Sequence, residues 1–497
     1  MKKIFVFVSM GLLIMLASCK KDYLETKPSN GISREEFLSK VSAIYSALDG
    51  ANKEQFAYGI GVDPGVTRHD AFGQKGFDLA QDLMGNDMVV HSQGYGWFNT
   101  DYNYTESGNA NANRQSDFMW FMYYDLIKQA HILLSVVDAI PDATTVQKET
   151  IKGQLYGIRA YAYFYLINYY QQTYKGNETK AGVPVYTEEA SVGKPRGTVE
   201  EVYTQIIGDL TLAETLLTGK ARAAKSNIDV SVVQGIRARV ALIMEDWATA
   251  ETYANKARQG YTLMVGTEYS DPGAFSTLAN PEWMWGSLIP SDQATIYASF
   301  FSHIDISTGG YAALGGQKKI TKALYDLIPA GDVRKTVFTA PGTGTAGNPD
   351  YNQVKHTVPV PGNWAADYLY MRAAEMYLIE AEALGRQSQD ASARTVLEEL
   401  IQTRDPLYSA ASFSGSALVD EILLQRRIEL WGEGFSLMDI KRLNQGLNRP
   451  TGAGNHGAPN FNPGPLTTGA MDPRFLFRIP KRELDNNENM TPADQNP

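Results

Sequence analysis

The sequence predicts a mainly α-helical protein: paired helices form a scaffold, and a large loop-rich half is carried on it. Three observations predict this. Capping boxes stand ahead of apolar residues at helical spacing. Helices come in pairs joined by few residues, repeating at roughly 34 residues with small and aromatic residues at interlocking positions, which makes the scaffold tetratricopeptide-like. Between the pairs, the periodicity vanishes over about 51–117, 261–366 and 444–497, where Gly, Pro, Asn and aromatic residues rise. Loops of this length within a compact protein are usually functional, and their aromatic content argues against disorder.

Lys2 and Lys3 precede an almost unbroken apolar run, Ile4 to Ala17, and Lys20-Lys21-Asp22 follow at once. A bilayer crossing needs about 20 apolar residues, so 1–18 reads as an export signal that is removed, and 19–32 as a tether. Leu16-Ala17-Ser18-Cys19 resembles a bacterial lipobox, which implies lipidation of Cys19. Acyl chains, at about 0.8 kcal/mol per buried CH₂, would anchor the protein to a membrane without a spanning helix. Cys19 is the only cysteine, which excludes an intramolecular disulfide framework and any multi-cysteine metal site.

A single domain then occupies 33–497, with helical scaffold over about 33–50, 118–260 and 367–443. Ser33 and Glu36 make a first capping box, opening a helix through Phe37, Val41, Ile44 and Leu48 that ends near Asp49-Gly50. Phe118 to Ala139 is helical and stops at Ile140-Pro141. Thr144 with Gln147, and Thr198 with Glu201, open two more helices. Val230 to Met244 and Trp247 to Gln259 form a pair, the second with Trp247, Ala250, Ala254 and Ala257 on one face for close approach. Glu282 to Ile289 reads as a buried strand, with Trp283 and Trp285 in the core. Tyr368 to Leu384 is expected to be a helix capped by Gly385, followed by helices over Asp390 to Thr403, Leu418 to Leu430 and Phe435 to Leu443.

Composition narrows the function. The chain is 43% hydrophobic and 20% charged, as in globular proteins, and its net charge of -10 argues against nucleic acid as a partner. The unusual feature is 28 Tyr, 19 Phe and 7 Trp, of which most belong in a core while an excess also suits a carbohydrate or partner surface. The six histidines are scattered without H-x-x-x-H spacing, so no zinc site is expected, and a calcium site built from scattered loop oxygens would leave no fixed spacing to read. Gly342 to Gly347 matches G-x-G-x-x-G, but Pro341 precedes it and Asn348-Pro349 follows; it reads as a turn, and no cofactor is expected. Arg426, Arg427, Glu429, Glu433, Asp439 and Arg442, like Arg372, Glu375, Glu380 and Glu382, read as structural ion pairs.

The candidate site is aromatic. Tyr95, Trp97, Phe98, Tyr102 and Tyr104 lie within ten residues of a nonhelical stretch, interleaved with Asn99, Asp101 and Asn103. Sugar C–H faces stack on aromatic planes while amides and carboxylates bond sugar hydroxyls; the alternative role is a loop pinned to the scaffold by its own rings. Trp97 is the best single candidate. Tyr297, Phe300, Phe301 and His303 are a candidate second wall.

Several segments resemble the SusD/RagB family. They are Arg426-Arg427-Ile428-Glu429-Leu430-Trp431-Gly432-Glu433-Gly434-Phe435 with Asp439-Ile440-Lys441-Arg442, Tyr370 to Ala383, Arg159 to Tyr163 with Gly182-Val183-Pro184, Ile479 to Leu484, and Gln495-Asn496-Pro497. His131 departs from the family's usual asparagine. The resemblance implies a noncatalytic lipoprotein of the outer membrane, facing the cell exterior. Such a protein captures oligosaccharides in its loop-rich half and passes them to a SusC-type TonB-dependent transporter. An exported glycoside hydrolase and a protein-only surface scaffold are the alternatives.

Overall fold

A computed structural model describes residues 39–59, 68–105 and 115–497. The export signal, Cys19, the tether and the Ser33–Glu36 capping box lie outside the described residues. In chain order the elements are α1 (Val41–Glu54), α2 (Gln74–Leu83), β1 (Met88–Val90), α3 (Asn99–Tyr102), α4 (Gln115–Val136), α5 (Thr145–Tyr170), α6 (Val199–Leu217), α7 (Val230–Met244) and α8 (Trp247–Ala257). There follow β2 (Trp283–Ser287), α9 (Phe300–Ile304), β3 (Lys318–Ile320), α10 (Lys322–Asp326), β4 (Tyr368–Arg372), α11 (Ala373–Arg386), α12 (Asp390–Ile401), α13 (Ser416–Glu429), α14 (Ser436–Arg442) and α15 (Lys481–Asn486).

The scaffold is a ladder in which α4, α5, α6, α7, α8, α11 and α12 each pack on the next. Local sequence sets its rungs. Thr144 and Gln147 close a reciprocal capping box on α5, Thr198 and Glu201 do so on α6, and Asp229 and Asp246 cap α7 and α8. Ala250, Ala254 and Ala257 are wholly buried, so α8 lies close to both of its neighbours. Among the described residues no helix is long and apolar enough to cross a membrane.

Three sequence expectations are corrected. Gly385 lies inside α11, where a Cβ would meet Val419 at 3.3 Å; it is a packing glycine, and the left-handed residue beyond the helix is Ser388. Tyr368–Arg372 is a strand rather than the first turns of that helix. It pairs antiparallel with β2, from Trp283 opposite Arg372 to Ser287 opposite Tyr368, and this ladder satisfies its backbone. The expected loop 51–117 holds the end of α1, which runs on through Gly50, and also α2, all ten residues of which are buried.

The charged motifs form a buried network. Arg372 bonds Glu282 and Glu429 at 2.7 Å and Glu433 at 2.8 Å, while Arg404 joins Glu282 at 2.9 Å and Glu429 at 3.0 Å. Lys355 reaches Glu433 at 2.7 Å, and Arg334 reaches Glu429 at 3.4 Å. Glu375 pairs with Arg239, Glu380 with Arg258, Glu382 with Arg442, and Asp439 with Arg426 and Arg442. Burial pushes the Glu433 carboxyl up, but Arg372 and Lys355 overcome it and hold it at about 2. His131 accepts from Arg159 Nη1 at 3.1 Å and donates to the Tyr186 carbonyl at 3.1 Å, so it serves in helix packing.

Candidate functional site

Two loop-rich regions far apart in sequence are joined by a ribbon. β1 and β3 pair antiparallel, Met88 opposite Ile320 and Val90 opposite Lys318, and His91 N–H extends the ladder to the Gln317 carbonyl at 3.0 Å. Beyond it the Ser92 hydroxyl donates to the Gly315 carbonyl, fixing residues 92–98 against 311–316. Gly94, Gly96 and Phe98 all take positive φ, at 50°, 83° and 62°. Glycine adopts this conformation freely and phenylalanine does not, so the turn is held by its surroundings. Its effect is to face Tyr95 outward at 68% exposure and to leave Trp97 half-buried, while the Phe98 ring enters the core.

The outward rings meet others. His69 lies between Trp97, with centroids 5.4 Å apart and planes at 25°, and Tyr297, at 6.3 Å and 5°. Tyr311 stands edge-on to Tyr95 at 5.2 Å and to Trp97 at 6.0 Å, and its hydroxyl is 2.5 Å from His69 Nδ1. Tyr58 packs on His69 at 6.0 Å, and Trp364 on Tyr297 at 5.9 Å. Tyr297 is 44% exposed and Tyr58 37%. The Arg68 guanidinium lies 5.6 Å from the Trp97 ring centre and forks onto the Asp70 carboxylate. The result is an aromatic cleft in which Trp97, His69 and Tyr297 are near-parallel, Tyr311, Tyr58 and Trp364 are tilted or edge-on, and the edges are polar, an arrangement suited to stacking a flat, hydroxylated ligand.

Of the residues singled out in the sequence, Tyr95, Trp97 and Tyr297 come together on this surface. Phe98, Asn99, Asp101, Tyr102, Tyr104, Phe300 and His303 are buried, which corrects the expectation that they face a ligand. Asn99–Tyr102 is one helical turn rather than loop, and that turn carries these side chains inward. Asn99 donates to the Gln93 carbonyl at 2.9 Å, Tyr102 bonds His456 Nδ1 at 2.8 Å, and Tyr104 donates to the Met84 carbonyl. Phe300 packs edge-on against His356 and Tyr368. His303 Nε2 donates to the His69 carbonyl at 2.8 Å, and its ring stacks beneath Tyr311 at 4.9 Å. Burial, helped by nearby Lys318, pushes the His303 imidazole well below its usual range, so it supports the cleft as a neutral ring.

Sequence reasoning missed Tyr58, Arg68, His69, Tyr311 and Trp364. One signal was available. Tyr58, Tyr95, Trp97 and Tyr311 each adjoin a glycine, which frees the backbone to turn a ring outward. Arg68 and His69 carried no such mark.

A separate cavity of 590 Å³ is lined by residues of 82–88 and 420–450 together with Thr321 and Ala323, and shares no residue with the aromatic cleft. Arg426 pairs with Asp439 through Nε and Arg427 with Asp87, while Arg426 Nη1 is buried without a hydrogen-bond partner among the described residues. Among the described residues, no three His, Cys, Asp or Glu side chains are grouped to hold a metal ion.

Comparison with known proteins adds to this geometry. A family profile described as "Starch-binding associating with outer membrane" matches residues 22–242, and the SusD family profile matches 342–497. A SusD-like protein of Formosa agariphila is 23% identical over 521 residues, covering 89% of this chain and 91% of its own. A SusD-like carbohydrate binding protein of Bacteroides vulgatus superposes with a TM-score of 0.79 at 28% identity, covering 92% of this chain and 98% of its own. Surface glycan-binding protein A of Bacteroides thetaiotaomicron, solved with laminarihexaose, shares the fold with a TM-score of 0.68 at 16% identity; coverage is 92% of this chain and 99% of that one.

Proposed function

The chain belongs to the SusD/RagB family, and from that premise we propose that it is a noncatalytic glycan-binding lipoprotein of the outer membrane. It captures oligosaccharides at the cell surface and hands them to a SusC-type TonB-dependent transporter, with lipid at Cys19 as the anchor. The observation that carries the binding role is the cleft itself. Trp97, His69 and Tyr297 present a graded stack of rings whose neighbours offer hydroxyl, imidazole and guanidinium groups. Ring faces take sugar C–H groups and polar edges take hydroxyls, which supports a saccharide over a flat apolar ligand.

A glycosidase would need two carboxylates flanking one bond, about 5 to 9.5 Å apart. Among the described residues, Asp70 is the one carboxylate bonded to a side chain of the cleft, and Arg68 occupies both its oxygens. This favours capture over cleavage. The test is titration of the protein with a panel of plant, fungal and host polysaccharides, with reducing ends assayed in parallel. Binding of one class that weakens about tenfold or more in Trp97→Ala, with flat reducing-end release, is the expected result. Release of reducing ends that grows with time overturns the noncatalytic role.

A further inference from the structure

One guanidinium stands at the edge of the cleft with a donor to spare. Arg68 and His69 stand at the rings, and Lys318 lies near His303 beneath Tyr311. Lys318 is 2% exposed, and its ammonium bonds the Gly316 carbonyl rather than an acid. Burial pushes that amine down to about 7, and no carboxylate contributes. Asp70 accepts from Arg68 Nε and Nη2. Arg68 Nη1 has no hydrogen-bond partner among the described residues.

Resting on the glycan reading above, we propose that the cleft selects acidic glycans, with a sugar ring stacked at Trp97 and Tyr297 and its carboxylate or sulfate group set against Arg68. With Nε and Nη2 held by Asp70, Arg68 Nη1 is left to donate to a carboxylate or sulfate, and such a charge-assisted bond is about twice as strong as one to a neutral hydroxyl. The Trp97 face beside Arg68 keeps the charge next to the ring that stacks the sugar, so both contacts are available to one residue of the glycan.

The experiment uses matched pairs. Binding to polygalacturonate is compared with its methyl ester, and binding to a sulfated galactan with the same polymer after desulfation, by calorimetry at low salt and at high salt. The expected result is at least about tenfold tighter binding of one acidic polymer than of its neutral twin, an advantage that shrinks at high salt. The pair that responds tells carboxylate from sulfate. Arg68→Gln should erase the advantage, Arg68→Lys should keep part of it, and Trp97→Ala should weaken binding of both members of the pair. Thermal melts of each variant separate loss of binding from loss of fold, and the salt comparison needs no variant at all. If neutral twins bind equally well and Trp97→Ala weakens them, the glycan role stands and the acidic selectivity falls. Charge preference that survives Arg68→Gln in a folded protein also overturns the proposal. If no polymer binds, or binding ignores Trp97→Ala, the glycan role falls and takes the selectivity with it.

Discussion

The buried ion network and the aromatic cleft use opposite rules. In the network, Arg372, Arg404, Glu282, Glu429 and Glu433 exhaust one another's donors and acceptors away from water. In the cleft, Tyr95, Trp97 and Tyr297 leave ring area uncovered. Charge density alone would have pointed to the first as a reactive centre. The difference teaches that a candidate functional surface is marked by unspent contacts, and a scaffold by spent ones.

The sharpest way to break the comparison is to unpair the network. Arg372→Ala leaves Glu282, Glu429 and Glu433 buried without their shared cation, and should cost about 3–5 kcal/mol, read as a drop in the denaturation midpoint. Acid tests the same network without a mutation. The Glu433 pKa is depressed in the folded state, so its contribution is complete above the ordinary carboxyl range near 4.5 and is lost as pH falls toward 2. Melting temperature should therefore be steady near neutrality and fall steeply between those values, whereas a titration that stays flat down to pH 2 would contradict the pairing. Trp97→Ala sits on the other side of the comparison: glycan affinity should drop about tenfold or more while the melting temperature stays close to the parent value. Smallest is Tyr102→Phe, which removes one buried hydroxyl bond to His456. It should cost about 1 kcal/mol of stability and leave glycan affinity unchanged; weakened binding would place Tyr102 in the site after all.

Much of the scaffold was legible because helix signals are local. Thr144 with Gln147 and Thr198 with Glu201 state their helix starts within four residues, and both boxes form. The buried strand at Trp283–Ser287 was legible from its apolar run. The α2 helix was not. Gln74, Asp78 and Asp82 make it look like surface, yet they are buried because distant groups satisfy them: the Tyr123 hydroxyl donates to Gln74 at 2.6 Å, and the Gly434 and Ser436 amides donate to Asp82. Tyr368–Arg372 was misread because its strand identity depends on a partner some 85 residues earlier. The cleft was legible only in part. Ring content located 95–104, but which rings face outward depends on the backbone reversals at Gly96 and Phe98, and His69 joins them only through tertiary packing.

The β1 to β3 ribbon has a consequence for synthesis. As the chain emerges, Tyr95 and Trp97 exist long before Tyr297 and Tyr311, and the pairing of Met88–Val90 with Lys318–Ile320 must wait for about 230 intervening residues. Pairing over such a separation is slow to form, and an incomplete chain exposes an unpaired edge. The aromatic cleft is therefore a late product of folding: its rings assemble only after most of the helical ladder has been made, and a nascent chain ending before residue 318 would carry one wall of it with nothing to close against.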